Sequence, residues 1–441
     1  MSLSARIVGA LEKRPGLRRI LKNSAWLSTD RILRIPVGLL VSVWMARYLG
    51  PEVFGQYSYA IALVALFGVL STLGIDTILV REIVKSPEER HALLGTAFVL
   101  RLIGGALGCL AAILCVWIVR PDDATTRVLV AVVALGLVFQ APDVMDLWFQ
   151  SQLQSRSSVV AKNASFLIAA SAKFGLILIG ASVVAFAWAG LFEVVLAGIG
   201  LFAAYRLAGE RLSSWRASAS RAADLLKPGF PLVLAGLAVS VYMKIDQIML
   251  AEMLGVGAVG IYSAATRISE AVYFIPGVIV ASVLPSIIST KRSSQQLYLE
   301  RMQRLFDFMV VVAIGLALTI GVLSPVIIKV LFGELYSDSA SVLAIHAWSS
   351  VFVFLGVASS AFLLAENLTI VSFYRTAMGA AVNVLLNLVF IPWWGVKGAA
   401  YATLVSYGVA TYSVLFFRGS RPAGMMMLRA LIPTSLFVAR R

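Results

Sequence analysis

SAWLSTDRILRIPVGLLVSVWMARYLGPEVFGQYSYA, from Ser24 to Ala60, sets Asp30, Arg31 and Arg34 at the head of an otherwise apolar run long enough to cross a bilayer. A charge at bilayer depth costs about 2.5–3.5 kcal/mol on insertion scales, so such groups turn toward a bundle interior or a watery cavity. Asp30 and Arg34 stand i, i+4, and Arg31 and Arg34 stand i, i+3, which places a partly compensated positive cluster on one helical face. Arg31 and Arg34 are therefore the first binding candidates. The competing reading is structural: Asp30 pairs with Arg34, and both anchor the helix near the cytoplasmic interface by snorkelling.

The rest of the chain extends this reading. Of 441 residues 60% are hydrophobic and 13% charged, with a mean hydropathy of +0.91. That is too apolar for a soluble domain and too long for one span. The apolar runs are continuous rather than alternating over about ten residues, which excludes a transmembrane barrel. The expected fold class is an all-α polytopic membrane protein. Twelve spans are predicted, at about 25–48, 54–78, 92–119, 127–149, 159–179, 182–205, 229–251, 258–288, 305–332, 340–365, 369–391 and 396–417.

A net charge of +15 would suggest nucleic acid in a soluble protein. Here most Lys and Arg sit in short links between apolar runs, and no nucleic-acid partner is expected. Twenty-four of the 37 fall on one side of the predicted membrane, only four on the other, which places both termini in the cytoplasm. The first 24 residues are basic and amphipathic and suit the surface of an anionic leaflet. They lack the apolar core of a cleavable signal peptide. Cys109 and Cys115 lie on opposed faces of one span and form neither a disulfide framework nor a metal pair.

The longest polar link, within 206–228, separates six spans from six and reads as a hinge between bundles at 25–205 and 229–417, with a basic cytoplasmic tail at 418–441. An internal repeat supports that division. Ala46, Leu49, Gly50, Gly55, Tyr57, Ser58 and Ala60 recur as Ala251, Leu254, Gly255, Gly260, Tyr262, Ser263 and Ala265, at a constant offset in numbering. The glycines predict a tight outer turn after the first span and again after the seventh. Six spans per repeat is even, so the halves are pseudo-symmetric about an axis along the membrane normal.

ARYLGPEVFGQYSYA (46–60), STLGIDTILVRE (71–82), Trp148-Phe149-Gln150 and WWGVKGAAYATLVSYG (393–408) together resemble the Wzx-type polysaccharide repeat-unit flippases of the multidrug/oligosaccharidyl-lipid/polysaccharide (MOP) exporter superfamily. The resemblance covers nearly the full chain. It implies a fold of the multidrug (MATE) and MOP kind in the cytoplasmic (inner) membrane of a bacterium. It implies translocation of an undecaprenyl-diphosphate-linked O-antigen, exopolysaccharide or capsule repeat unit to the periplasmic leaflet, by alternating access through a cationic central cavity. It further implies H+ or Na+ coupling, membrane lipid and a polysaccharide polymerase as partners, and no cofactor. Related lipid II flippases carry basic residues on their first and eighth helices, and Arg31 or Arg34 and Arg267 occupy comparable places here.

Such a substrate needs guanidinium or ammonium groups for its diphosphate, and amides, hydroxyls and aromatic faces for its sugars. Within the spans, Lys173 and Arg101 are deep enough to qualify, although Arg101 equally suits a buried ion pair with a neighbouring acid. Lys244 and Asp246 point to different faces of the seventh span. Arg267 and Glu270 stand i, i+3, so an intrahelical pair competes with a gating or coupling role. Asn383 and Asn387 share a face of the eleventh span and either bond sugar hydroxyls or join helices. Asp30, Asp76, Asp246 and Glu270 are the candidates for ion coupling or gating. Lys162 suits the inner interface as well as a cavity, and Arg375 suits snorkelling as well as a cavity.

Asp143 and Asp146 have the spacing of paired catalytic carboxylates but precede Trp148 at a helix end, where interfacial roles dominate. His91 and His346 lack ligand spacing, so no metal is assigned. The rival readings are a flippase for lipid II or another lipid-linked sugar, a drug/cation antiporter of the same fold, which should have acids dominating its cavity, and a membrane polysaccharide polymerase or ligase. The last should carry a sizeable outer loop, whereas the longest outer link spans only 120–126, so the chain is not read as an enzyme.

Overall fold

The structure, a computed structural model, describes residues 15–432 except Arg292; within 15–32, side chains are described only at Asn23 and Trp26. The candidate side chains of Asp30 and Arg31 lie outside the described ones. Their backbone belongs to the helix described over Pro15–Thr72.

Among the described residues, eleven helical stretches are long and apolar enough to cross a membrane, and no strand occurs. The first stretch, Leu33–Lys85, holds two crossings, because the Pro15–Thr72 helix runs through Pro36 and breaks at Gly50 (φ 73°, ψ 170°). Each of the twelve predicted spans thus has a helical counterpart. Large apolar side chains stay exposed on these helices, among them Ile118 at 80% and Val322 at 76%, as expected of surfaces that meet lipid rather than water.

The predicted spans miss several internal breaks. The fourth stops at Phe139, passes through a 3-10 turn at Ala141–Asp143 and resumes as Val144–Ser151, because Pro142 removes a helical donor. The eighth divides into Val256–Glu270 and Ile275–Lys291 just before Pro276. The seventh begins about ten residues earlier than expected, in the Ala219–Leu254 helix, and carries Pro228 and Pro231 inside it.

By compactness the chain forms two units. The first comprises Met1–Val41 and Phe67–Gly236, the second Ser42–Leu66 and Leu237–Arg441. The adjoining ends of the first two spans, counted in the first bundle from sequence, therefore belong to the second unit.

The first unit is centred on aromatics: Trp148 meets Tyr205 edge-on at 5.0 Å, and Tyr205 meets Trp215 at 5.7 Å, with Trp215 Nε1 donating to Tyr205 Oη at 3.1 Å. Trp215 lies in the link read as a hinge. That link is docked rather than loose, since Ser218 N donates to Thr96 Oγ1 at 3.0 Å and Arg90 pairs with Glu210 at 3.0 Å. In the second unit Tyr298, Phe306 and Phe354 are fully buried, and the Arg421–Ala430 helix closes the same core through Met426 and Met427. The segment read as a basic tail at 418–441 is thus, as far as Ala430, part of the packed unit; residues 433–441 lie outside the described ones.

The repeat has a physical basis inside the second unit. Gly255 matches Gly50 in conformation (φ 90°, ψ 169°), a region that favours glycine because it lacks Cβ. A Cβ on Gly55 would lie 1.8 Å from the Val256 carbonyl oxygen, and one on Gly260 would lie 2.0 Å from that of Pro51. Residues 51 and 256, like 55 and 260, are equivalent positions of the repeat, so the two copies pack reciprocally, backbone on backbone.

Candidate functional site

In the first unit most charges are neutralised in place. Lys162 Nζ lies 3.0 Å from Asp143 Oδ1 and 2.8 Å from Asp146 Oδ2, so the two carboxylates clamp a lysine rather than act as an acid–base pair. Lys173 pairs with Glu193 at 3.4 Å. Arg101 takes the alternative left open for it, an ion pair with a neighbouring acid: its Nη2 meets Asp76 Oδ1, and its Nη1 also donates to the Gln140 carbonyl at 3.4 Å. Arg34 donates through Nη2 to the Lys162 carbonyl at 2.6 Å and through Nε to Asn163 Oδ1 at 3.1 Å, with its guanidinium 5.1 Å from the Phe166 ring centre.

Asp76→Asn is expected to leave the Arg101 guanidinium, only 4% exposed, without its counter-charge. Breaking a buried pair costs about 3–5 kcal/mol. Asp76 is 43% exposed, so a smaller loss, on the order of 1–3 kcal/mol, should appear as a lower unfolding midpoint in detergent, largely restored in Arg101→Met/Asp76→Asn.

The second unit holds the arrangement with most chemical capacity. Asp246 is buried on the Ala219–Leu254 helix. Its Oδ2 accepts from Tyr262 Oη at 2.7 Å and Thr403 Oγ1 at 2.5 Å, and its Oδ1 accepts from Asn387 Nδ2 at 2.6 Å. Asn387 Nδ2 also donates to Asn383 Oδ1 at 3.2 Å, and Asn383 Nδ2 to Ser406 Oγ at 3.3 Å. Asn387 Oδ1 is buried without a hydrogen-bond partner. One carboxylate is thus ringed by neutral oxygens and amides from three other helices. Such a set can hold a proton or a single hard monovalent cation; among the described residues no group of three acidic, His or Cys side chains could hold a multivalent metal.

Around this cluster, Glu270 pairs with Lys244 at 4.0 Å rather than with Arg267. Arg267 lies over the Phe54 ring at 5.4 Å and forms no ion pair with a described residue. His346 Nδ1 and Ser269 Oγ lie 2.7 Å apart, a buried pair that accounts for this histidine structurally. Arg375 does not snorkel. Its Nη2 donates to the Gly356 carbonyl at 3.1 Å and to Ser360 Oγ at 2.6 Å, on the wall of a cavity of about 210 Å³.

Thr403 and Ser406 were not singled out from sequence. Their signal was present: hydroxyls at i, i+3 on GAAYATLVSYG, a span of small residues that packs closely, facing amides at i, i+4 on the preceding span.

Among the described residues the chain is all-helical, with charged and amide side chains gathered inside its apolar helical stretches, the form of a polytopic membrane protein. Solved structures share the fold: a lipid II flippase, MurJ, in an inward closed conformation has a TM-score of 0.67 at 16% identity, over 95% of this chain and 92% of that one. An inward-facing MATE-family multidrug resistance transporter of the MOP superfamily also scores 0.67, at 15% identity over 95% and 100%. A MOP-superfamily transporter of Pyrococcus furiosus scores 0.57, at 16% over 96% of both chains. This chain belongs to the polysaccharide biosynthesis protein family, whose model matches residues 20–291. An uncharacterized membrane protein of Methanocaldococcus jannaschii is 25% identical over 183 residues, 42% of this chain and 43% of that protein's own length.

Proposed function

We propose that this protein is a flippase that carries a lipid-diphosphate-linked saccharide, an O-antigen, exopolysaccharide or capsule repeat unit on undecaprenyl, from the cytoplasmic to the periplasmic leaflet of a bacterial inner membrane. The observation that carries this reading is Arg267, a guanidinium on a membrane-spanning helix that lies over the Phe54 ring and has no described acid within ion-pair distance, Glu270 being paired with Lys244. A lone intramembrane guanidinium is costly and serves as a ligand for an anion. The family's link to polysaccharide biosynthesis supplies the saccharide. The MurJ likeness in fold is consistent with a lipid carrier.

On this reading Arg267 in the second unit is a ligand for the diphosphate, and Arg31 and Arg34 in the first unit are separate candidates for the same role. Arg101, Lys173 and Lys244, paired in this state, act as positioning charges or exchange partners during the cycle. Asp246, with Asn383, Asn387, Tyr262 and Thr403, takes up the coupling ion, H+ or Na+. Asp30, Asp76 and Glu270 are secondary candidates for coupling or gating. A drug/cation antiporter would need acids freed from basic partners; Asp76, Asp143, Asp146, Glu193 and Glu270 are all paired, which leaves Asp246, held by neutral donors, as the acid such an antiporter would use.

The test is translocation in proteoliposomes, offering an undecaprenyl-diphosphate oligosaccharide and, separately, an organic cation. The lipid-linked saccharide should cross, and Arg34→Ala and Arg267→Ala should each slow it by about tenfold or more, the equivalent of at least one charge-assisted contact of about 1.5 kcal/mol. Movement of the cation alone would overturn the substrate class. Unimpaired variants would overturn the site.

A further inference from the structure

The Arg375 cavity is not used by the diphosphate or the coupling ion, and two of its polar groups lack partners. Arg375 Nη2 is held by Gly356 and Ser360, which fixes the guanidinium against the wall. Its Nη1 is buried and bonds nothing. Tyr273, which lines the same cavity, likewise has a buried hydroxyl without a partner. Tyr242 and Tyr407, also on the wall, stack on each other at 4.3 Å with 20° between their planes. Two residues with orphaned donors and an aromatic pair thus line one half-open cavity.

A buried charge is retained when something pairs with it. Among the residues lining this cavity Arg375 is the sole cation, and none is an acid. A single guanidinium matches a singly charged carboxylate, whereas a phosphate or diphosphate would leave negative charge uncompensated. The cavity volume, about 210 Å³, lies below the 300–1,000 Å³ of drug-sized pockets. It therefore suits one ring rather than an oligosaccharide. The tyrosine pair offers that ring a flat face, and the hydroxyls of Ser360 and Thr376 offer acceptors beside it.

We propose that this cavity binds one carboxylated pyranose, a sugar of the uronate class, and so selects acidic saccharides among lipid-linked substrates. The proposal rests on the flippase reading for its biological setting, but binding of a free sugar can be measured without transport.

The full chain in lipid nanodiscs would be titrated with D-glucuronate, D-glucose and inorganic phosphate, with binding read by saturation-transfer NMR of the sugars. Glucuronate should bind at least tenfold more tightly than glucose and resist displacement by equimolar phosphate. Arg375→Gln should weaken it at least tenfold, and Tyr273→Phe, which deletes only an unpartnered hydroxyl, severalfold with no loss of thermal stability. The proposal is overturned if glucose binds as well as glucuronate, if phosphate displaces glucuronate at equal concentration, or if Tyr273→Phe and a folded Arg375→Gln both bind as wild type. Glucuronate binding at Arg375 without any lipid-linked translocation would remove the flippase reading and leave the site standing. Translocation without glucuronate binding would remove the site alone.

Discussion

On the proposed coupling role, Asp246→Asn is expected to abolish ion-driven transport while leaving the protein as stable as wild type or more so. Two consequences of the same geometry point in opposite directions, which makes the variant decisive. The carboxylate is buried, with hydroxyl and amide donors from Tyr262, Thr403 and Asn387 around it. Burying a charge without an opposite charge is costly. Asparagine has the same shape and no charge, and Tyr262 and Thr403, 3.0 Å apart, can turn their hydroxyls toward each other. Stability should therefore stay within about 1 kcal/mol of wild type or rise.

The coupling consequence is large. One monovalent cation crossing 100 mV supplies about 2.3 kcal/mol, equivalent to roughly a 50-fold concentration ratio. Without the carboxylate that contribution vanishes, so accumulation driven by a 100 mV potential should fall toward the value at zero potential. The measurement is proteoliposome translocation with and without an imposed H+ or Na+ gradient, paired with thermal unfolding. A variant that loses stability while its remaining folded fraction keeps gradient-driven transport would show that Asp246 is a structural node only.

How much of this was legible in the sequence follows from which forces act locally. The spans were readable because hydrophobic length is a property of each segment alone. The turn at Gly50 and its copy at Gly255 were readable because left-handed backbone selects glycine. Charge pairing was not, because Arg101 and Asp76, or Lys173 and Glu193, are joined only by packing between helices. Arg375 illustrates the limit most clearly. Near a predicted helix start a long basic side chain reads as an interfacial anchor, and only the neighbouring helix, through Gly356 and Ser360, turns it onto a cavity wall. The same applies to the Pro142 and Pro276 breaks. Proline marks where a helix can stop, but not whether neighbours will hold the chain in line.

Gly260→Ala and Gly55→Ala are each expected to destabilise the second unit strongly, for a reason that the repeat itself defines. Cβ atoms at these positions would stand 2.0 and 1.8 Å from carbonyl oxygens of Pro51 and Val256. Both obstacles are backbone, which cannot rotate away as a side chain would. Overpacking usually costs about 1–3 kcal/mol, and these contacts belong at or above the top of that range. In detergent the unfolding midpoint should drop by about 5 °C or more. Gly315→Ala is the control: it also sits within a helix of the second unit, but nothing lies within 4 Å of its added Cβ. It should be neutral or stabilising by up to about 1 kcal/mol.

The double variant tests the reciprocity. If the two copies approach along one seam, the first methyl already forces it apart, and the second enters space that has been opened. The combined loss should then fall short of the sum by about 0.5 kcal/mol or more, the coupling seen for residues in contact. Strict additivity would mean that the two glycines are accommodated independently, and the repeat would then record common ancestry of the halves rather than a shared contact that keeps both glycines in place.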